Sequence, residues 1–171
     1  MKVVETERLI LRWLSAEDAA FVLELVNDPA WLRFIGDRGV RTLADARDYI
    51  LKGPVAMYHR EGFGLYLVQL KQSVTPIGIC GLIKRPGLED VDIGFAFLPA
   101  FYGQGYAYES ASAIMSYAQD TLGLERVVAI TAPDNQRSIA LLTKLGLSFV
   151  DMLRLAEDQP EVMLFAWNRP V

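Results

Sequence analysis

Cysteine and histidine are almost absent from this chain of 171 residues, which contains one of each, Cys80 and His59. A single cysteine excludes an internal disulfide framework and any zinc site built on paired cysteines. A single histidine excludes metal sites that need several histidines, so we expect no metal centre. Cys80 lies in a strand-like run with no histidine near it in the sequence. This setting favours an unactivated core thiol over an acetyl-cysteine intermediate.

Positive charge and long apolar runs are also scarce. Lysine and arginine number 17 against 21 acidic residues, a formal net charge of −4, and a net-acidic chain lacks the electrostatic footprint of a nucleic-acid binder. No apolar run is long enough to cross a bilayer, and charged residues interrupt the N-terminus before a signal core can form. We therefore expect no nucleic-acid partner, no membrane partner and a cytoplasmic location.

The residues that are present favour one folded domain over residues 1–171. Hydrophobic types make up 52% of the chain, and no repeat or glycine-rich, proline-rich or serine-rich linker divides it. Periodicity and turn residues predict the order β-α-α-β-β-β-α-β-α-β-β, a mixed sheet with helices packed on it. The first helix is expected to end at Asn27-Asp28-Pro29, and the second to run from Thr42 to about Tyr58.

Residues 101–109, FYGQGYAYE, form the most informative segment. Pro99 ends a predicted strand, and Gly103 and Gly105 precede a predicted helix. Glycines allow positive φ, so successive N–H groups can converge on the point at which the helix N-terminus directs its own free N–H groups. The pattern is typical of a cradle for a phosphate or pyrophosphate. A tight strand-to-helix turn that binds nothing is the alternative.

Two other nucleotide-binding motifs fit this segment poorly. A Walker loop ends in Gly-Lys-Ser/Thr, whereas Gly105 is followed by Tyr106-Ala107, which excludes a P-loop ATPase. The dinucleotide fingerprint is half met by Gly103 and Gly105, but Tyr108 replaces its third glycine. Too few elements follow to build a doubly wound parallel sheet, so a nicotinamide dehydrogenase is disfavoured.

The strand before this cradle has two different faces. Its bulky face carries Val91, Ile93, Phe95 and Phe97. Its nearly bare face carries Asp92, Gly94 and Ala96. The bare face leaves room for a thin ligand, with Asp92 as its only acid, although an exposed acid near a strand end is an equally open interpretation. Asn135 and Ser138 begin a later helix, where both residue types are also common caps.

Together these segments resemble the GNAT superfamily of acetyl-CoA-dependent N-acetyltransferases over nearly the whole chain. Residues 102–109 are similar to its pyrophosphate loop, residues 92–95 to the strand that carries its base, and residues 135–146 to its second conserved helix. The opening ETERLILR at residues 5–12 is typical of the branch that contains the ribosomal-protein N-terminal acetyltransferases. The resemblance implies an α/β (α+β) fold, with helices on both faces of a mixed, mostly antiparallel sheet of about seven strands.

The resemblance also implies the reaction and its cosubstrate. An acetyl group would pass from acetyl-CoA to a primary amine, on a protein N-terminus or a small molecule, without a metal. A non-catalytic module that binds CoA or acyl-CoA through the same fold is the alternative.

The resemblance further implies which residues bind the cosubstrate. Backbone groups of the cradle would hold the CoA pyrophosphate; its residues are Gly103, Gln104, Gly105, Tyr106, Ala107 and Tyr108. The pantetheine arm would run along Phe97 and Leu98 with strand-like hydrogen bonds, and past Asn135. Ser138 would lie near the thioester sulfur, and Lys144 would reach the CoA phosphates or face solvent.

Two departures from the family pattern shape the expected mechanism. Leu142 stands where many members carry a tyrosine as general acid, and Asp92 is one methylene shorter than the usual glutamate base. We therefore expect direct attack by the neutral amine, with Asp92 as base through a water molecule and Ser138 as a weak acid. Backbone N–H groups of the splayed strand would stabilise the thioester oxygen.

Two further expectations concern the acceptor and the oligomeric state. Residues 31–34, WLRF, lie between the first two helices and are expected to line the acceptor side. The terminal hairpin carries Met163, Phe165 and Trp167 on one face, which suggests a homodimer.

Overall fold

Eight strands and six α-helices make up the chain in a computed structural model that describes Met1 to Val171. The strands are β1 Lys2–Glu5, β2 Leu9–Arg12, β3 Leu65–Leu70, β4 Pro76–Ile83, β5 Asp92–Phe97, β6 Arg126–Thr131, β7 Ser148–Leu153 and β8 Val162–Asn168. The helices are α1 Ala19–Val26, α2 Pro29–Phe34, α3 Leu43–Ile50, α4 Ala56–Glu61, α5 Tyr106–Asp120 and α6 Gln136–Lys144.

All eight strands form one sheet, in the order β1-β2-β3-β4-β5-β6-β8-β7. Every neighbouring pair is antiparallel except β5 and β6, which are parallel. The mixed, mostly antiparallel sheet predicted from the sequence is confirmed. It has eight strands rather than about seven because Lys2–Glu5 pairs with β2 as an additional edge strand. That strand was missed because four residues with a charge at each end give no extended alternation.

Local capping explains where the helices begin. The predicted second helix starts at Thr42, whose side chain and that of Asp45 form a capping box. It continues as α3, a π-helical turn at Leu51–Val55, and α4. Pro54 lies inside that turn, where its missing N–H disrupts the regular hydrogen-bond ladder.

A short helix that the sequence did not predict follows α1. Asp28 accepts the Ala30 N–H at 3.0 Å, and Pro29 occupies the first position of α2. The turn at Asn27-Asp28-Pro29 therefore ends one helix, as expected, and also starts another. The longest helix, α5, has 15 residues, and no helix is both long and apolar enough to span a membrane.

Two hydrophobic cores lie on opposite faces of the sheet. The first contains 20 buried residues, among them Ile114 of α5 and Leu142 of α6. The second contains 11, with contributions from α1, α2 and α3. Successive side chains of β5 point to opposite cores, as the alternation in its sequence predicts: Ile93 belongs to the first core and Ala96 packs against the second.

The apolar face of the terminal hairpin packs inside the protein. Phe165 is 3% exposed in the first core, and Met163 and Trp167 pack against that core. This face is therefore not the free surface on which the homodimer prediction depended. The homodimer remains a prediction, and the apolar face of the hairpin no longer supports it.

Candidate active site

The only parallel pair of strands opens into a gap. Strands β5 and β6 are in register at one residue pair, Asp92 with Val128, and the Val128 N–H donates to the Val91 carbonyl at 3.0 Å. Because they share no further register beyond that pair, the strands diverge toward their C-terminal ends. We refer to the unpaired region between β5 and β6 beyond this residue pair as the gap.

Hydrogen-bond alternation decides which backbone groups of β5 face this gap. The Leu98 N–H donates to Ile77 at 3.0 Å, and the Leu98 carbonyl accepts from Phe101 at 3.0 Å. Since successive residues of an antiparallel pair alternate in the side to which they bond, Phe95 and Phe97 direct their N–H and C=O groups toward the gap. The predicted strand-like hydrogen bonds are therefore available at Phe97. They are not available at Leu98, whose N–H and C=O groups already hydrogen-bond Ile77 and Phe101.

The predicted cradle connects the open end of β5 to α5. Gly103, with φ 74°, and Gly105, with φ 82°, both adopt the left-handed conformation that favours glycine. The Glu109 N–H donates to the Gly105 carbonyl as the first helical hydrogen bond, and the N–H groups of residues 103–108 have no acceptor in the turns and caps. Such a row of free N–H groups at a helix N-terminus suits an anion. The structure thus brings together all six predicted cradle residues, Gly103, Gln104, Gly105, Tyr106, Ala107 and Tyr108.

Two basic side chains of α6 lie at the rim of the cradle. The Arg137 guanidinium is 4.3 Å from the ring centroid of Tyr102, and the Lys144 amine is 4.1 Å from that of Tyr108. Lys144 therefore lies beside a cradle residue. Arg137 was not singled out from the sequence, where it looks like any charged residue on a helix surface.

Asp92 lies at the closed end of the gap. Its side chain is 1% exposed, and its carboxylate oxygens accept from Nε and Nη2 of Arg85, each at 2.9 Å. Asp92 is therefore not an exposed acid near a strand end. Burial raises the pKa of the Asp92 carboxyl, and the positive charge of Arg85 opposes that effect. A carboxylate has about four lone-pair sites, so the bidentate pair leaves room for a further hydrogen-bond donor.

Asn135 and Ser138 lie at the start of α6. The Asn135 side chain accepts the Ser138 N–H at 3.3 Å, so Asn135 does cap this helix. Both residues are half-buried, and no protein group hydrogen-bonds the Ser138 hydroxyl. Leu142, one turn further along, is 1% exposed in the first core. The helix thus presents a free hydroxyl and no phenol near the gap.

Residues 31–34 divide between the core and the surface. Trp31 is 5% exposed in the second core, and its indole N–H has no hydrogen-bond partner. Leu32 is 39% exposed, and Arg33 forms a 3.1 Å ion pair with Asp134 in the turn between β6 and α6. Within this segment, Arg33 therefore links α2 to the turn that precedes α6.

Tyr49 on α3 lies within electrostatic range of Arg85, the partner of Asp92. Burial raises the pKa of the Tyr49 phenol, while the positive charges of Arg38 and Arg85 oppose the shift. Tyr49 also lines an open cavity of about 370 Å³; the other charged residues lining it are Arg38, Asp45, Asp48 and Lys52. Tyr49 therefore borders an open cavity of mixed charge, which Asp92 and Arg85 do not line.

Cys80 is fully buried in the first core. Burial raises the pKa of its thiol to about 12. Because the thiolate is the nucleophilic form, Cys80 cannot serve as an acyl carrier at neutral pH. No group of three or more His, Cys, Asp or Glu side chains is arranged to hold a metal ion.

Three arginines that sequence reasoning missed contact the site. Arg85 is seven residues from Asp92, and the pairing of Ile83 with Asp92 brings it alongside; a prediction of hairpin register could have found it. Arg8 lies 96 residues before its partner Gln104. For Arg8 and for Arg137, no local pattern in the sequence indicates the contact.

Comparison with known proteins agrees with this geometry. Residues 8–148 match the acetyltransferase (GNAT) domain family. The FsC-acetyl coenzyme A-N(2)-transacetylase of Aspergillus fumigatus is 38% identical over 166 residues, which are 92% of this chain and 69% of that protein. A crystal structure of an acetyltransferase from Agrobacterium tumefaciens has a TM-score of 0.83 at 25% identity, covering 99% of this chain and 95% of that one.

The same fold occurs in RimL, a ribosomal L7/L12 alpha-N-protein acetyltransferase solved in complex with coenzyme A. Its TM-score is 0.83 at 21% identity, covering 98% of both chains. The family match extends over most of the sequence and includes the gap, the cradle and the start of α6. This chain belongs to the GNAT family of acetyltransferases.

Proposed function

We propose that this protein transfers the acetyl group of acetyl-CoA to a primary amine by direct attack on the thioester. The observation that carries the proposal is the opening between β5 and β6, which has free N–H groups at one end and Asp92 at the other. A thin thioester arm lying in this gap would have its phosphates at the cradle and its reacting carbon near the buried acid. RimL, which has the same fold, was solved in complex with coenzyme A, and this supports CoA as the ligand.

The cosubstrate is held chiefly by backbone groups in this proposal. The N–H groups of residues 103–108 would bind the pyrophosphate, and Arg137 and Lys144 would add positive charge at the rim. Phe97 would bind the pantetheine arm through its N–H and C=O groups. Leu98 and Asn135 would contact the arm through their side chains.

The amine must lose a proton to attack the thioester. An α-amine titrates near ~8 and a lysine near ~10.4, so much of either is protonated at neutral pH. We assign Asp92 as the base that takes this proton through a water molecule, since burial raises the pKa of its carboxyl and Arg85 leaves lone pairs of the carboxylate free. Nitrogen then bonds to the acetyl carbon, the C–S bond breaks, and CoA leaves as its thiolate. The second proton of the attacking nitrogen passes to that thiolate or to solvent, which leaves the neutral amide.

Two groups beside the gap would assist the bond changes. The N–H group of Phe95 faces the gap and would stabilise the negative charge that develops on the thioester oxygen. The free Ser138 hydroxyl would donate a hydrogen bond to the leaving sulfur as a weak acid. CoA thiol titrates near ~8.5 if it resembles cysteine, so a strong acid in place of Leu142 is not required.

The acceptor is a primary amine on a protein N-terminus or a small molecule. RimL is named for a protein α-amine and the Aspergillus relative for an N(2) position, so α-amines are the first acceptors to examine. A cytoplasmic location, and the absence of nucleic-acid and membrane partners, remain predictions from the sequence.

The test is release of CoA thiol from acetyl-CoA with and without an amine. We expect release that depends on added amine in a panel of short peptides with free N-termini, amino acids and polyamines. The same reaction without amine measures background hydrolysis. If acetyl-CoA binds tightly but no amine in the panel accelerates thiol release, the protein is the non-catalytic binding module instead.

A further inference from the structure

The opening segment, residues 5–12, has no part in the proposed function, yet two of its side chains contact α5. The Glu109 carboxylate accepts three hydrogen bonds: from Thr6 Oγ1 at 2.6 Å, from the Arg8 backbone N–H at 3.0 Å and from Arg8 Nε at 2.8 Å. Glu109 lies in the first turn of α5. These bonds hold Arg8 against the start of the helix that follows the cradle.

The guanidinium of Arg8 lies directly against the back of the cradle, on the side of the Gln104 carbonyl. Its Nη1 donates to the Gln104 carbonyl at 3.0 Å, and its Cζ is 4.4 Å from the ring centroid of Tyr106. Its Nη2 is 3.3 Å from the point that a Cβ on Gly105 would occupy. One side chain therefore contacts three successive residues of the proposed pyrophosphate site.

The geometry of the peptide bond links the Arg8–Gln104 hydrogen bond to the direction of the Gly105 N–H. The carbonyl of Gln104 and the N–H of Gly105 belong to one planar trans peptide, so they point in opposite directions. Glycines at 103 and 105 leave the turn with unusual rotational freedom. When Arg8 holds the Gln104 oxygen, the Gly105 N–H is directed to the opposite side of the turn.

We propose that Arg8 is a positioning residue that orients the Gly105 N–H toward the CoA pyrophosphate from behind the cradle. The inference rests on the proposed function. Arg8 acts through the Gln104–Gly105 peptide, and its own guanidinium is held by Glu109 and Gln104.

Arg8 also balances a charge that opposes anion binding. Burial opposes ionisation of Glu109, but hydrogen bonds from Thr6 and Arg8 prevail and lower its pKa. Glu109 is therefore an anion close to the cradle, and its charge would repel a pyrophosphate without Arg8 beside it. Removing Arg8 thus has two effects: it frees the Gln104–Gly105 peptide, and it leaves the negative charge of Glu109 unbalanced. The double variant R8A/E109Q separates them because it removes that charge as well.

The experiment compares calorimetric affinities for CoA and for pantetheine, which lacks the pyrophosphate. In R8A we expect CoA affinity to fall about tenfold, the effect of losing one hydrogen bond to a charged group. Pantetheine affinity should stay unchanged. The double variant R8A/E109Q should recover little, because the Gln104–Gly105 peptide is still unconstrained.

Arg169 provides a matched control at the other end of α5. It pairs with Glu125 at 3.2 Å and donates to the Gln119 carbonyl at 2.9 Å, and its side chain is 39% exposed against 42% for Arg8. R169A removes one ion pair and one carbonyl contact, as R8A does. CoA affinity should be unchanged in R169A.

Three results would overturn the role of Arg8: unchanged CoA affinity in R8A, equal losses for CoA and pantetheine, or full recovery in the double variant. A wild-type protein that binds CoA no better than pantetheine would reject the cradle itself, and with it the proposed function. If R8A does not fold, R8K keeps the charge without the forked geometry. It should lose CoA affinity selectively, and wild-type affinity in R8K would overturn the proposal.

Discussion

At the scale of single residues, two buried arginine–aspartate pairs have similar geometry and different surroundings. Arg85 binds Asp92 with both contacts at 2.9 Å, and Arg12 binds Asp18 at 2.9 and 3.0 Å. Asp92 lies at the closed end of the gap, whereas Asp18 caps the turn before α1. Loss of either carboxylate leaves a part-buried arginine without its partner, which costs stability. Only one of the two losses should affect catalysis.

Asp92→Asn should therefore lower turnover by ~10²–10⁴, the usual contribution of a general base. The wild-type rate should rise with pH as Asp92 loses its proton, at a pH above the ordinary carboxyl range because burial raises this pKa. The variant should lose that rise and reach its optimum at higher pH, where the amine is neutral without help. Steady-state rates across pH, with the acceptor found in the amine panel, measure both effects.

Asp18→Asn is the matched control for this variant. It should lower the free energy of unfolding and leave the pH profile unchanged. An Asp92→Asn enzyme with wild-type turnover at every pH would remove Asp92 from the mechanism.

Residue identities on β5 were predictable and their partners were not. Alternation along the strand correctly separates Ile93 from Asp92, because side-chain direction has a period of two. The partner of Asp92 depends on the register of the β4–β5 hairpin. The partners of Arg8 depend on the packing of β2 beside α5, about one hundred residues away. Tertiary packing of that kind leaves no trace in a local pattern.

At the scale of elements, the cradle is a turn whose shape depends on two glycines. Gly103 has φ 74° and no atom within 4 Å of an added Cβ. An alanine there meets no steric obstacle, but it must adopt a left-handed conformation at a cost of ~1–2 kcal/mol. Gly146, after α6, has φ 93° and equally open space. The two positions differ in their distance from the proposed anion site and little in their local strain.

Gly103→Ala should weaken CoA binding at least tenfold, because relieving the strain rotates the free N–H groups of the turn. Gly146→Ala should cost similar stability and leave CoA binding unchanged. Denaturant unfolding and calorimetry on both variants provide the measurements. Equal CoA affinity in the two variants would show that the Gly103 turn does not bind the cosubstrate.

Most elements followed from the sequence, and the exceptions have physical causes. Thr42, Asn135 and the glycines of the cradle marked element boundaries because capping and positive φ are local properties. The edge strand β1 was missed because its stability comes from pairing with β2. Helix α2 was missed because Pro29, read as a stop, also fits the first position of a helix.

At the scale of the whole molecule, the proposed function places a ligand in the middle of a sheet that has a core on each face. A ligand that binds only the folded chain stabilises it, by about 2.7 kcal/mol at 100 times its dissociation constant. For a chain of this size that corresponds to a rise in Tm of roughly 5–11 °C. We expect this rise with acetyl-CoA and with CoA, and none with NADH. No rise with either CoA species at saturation would contradict the proposed cosubstrate.

The single register pair between β5 and β6 has a mechanical consequence. Five strands on one side and three on the other are paired only through Asp92 and Val128, and the first core packs across both groups of strands. In the proposed reaction the pantetheine arm takes the place of a missing strand. The arm would then hydrogen-bond to the free edge of β5, and CoA could leave only by breaking those bonds. The proposed base, Asp92, would therefore lie at the one residue pair where the two groups of strands are joined, at the end of the gap opposite the cradle.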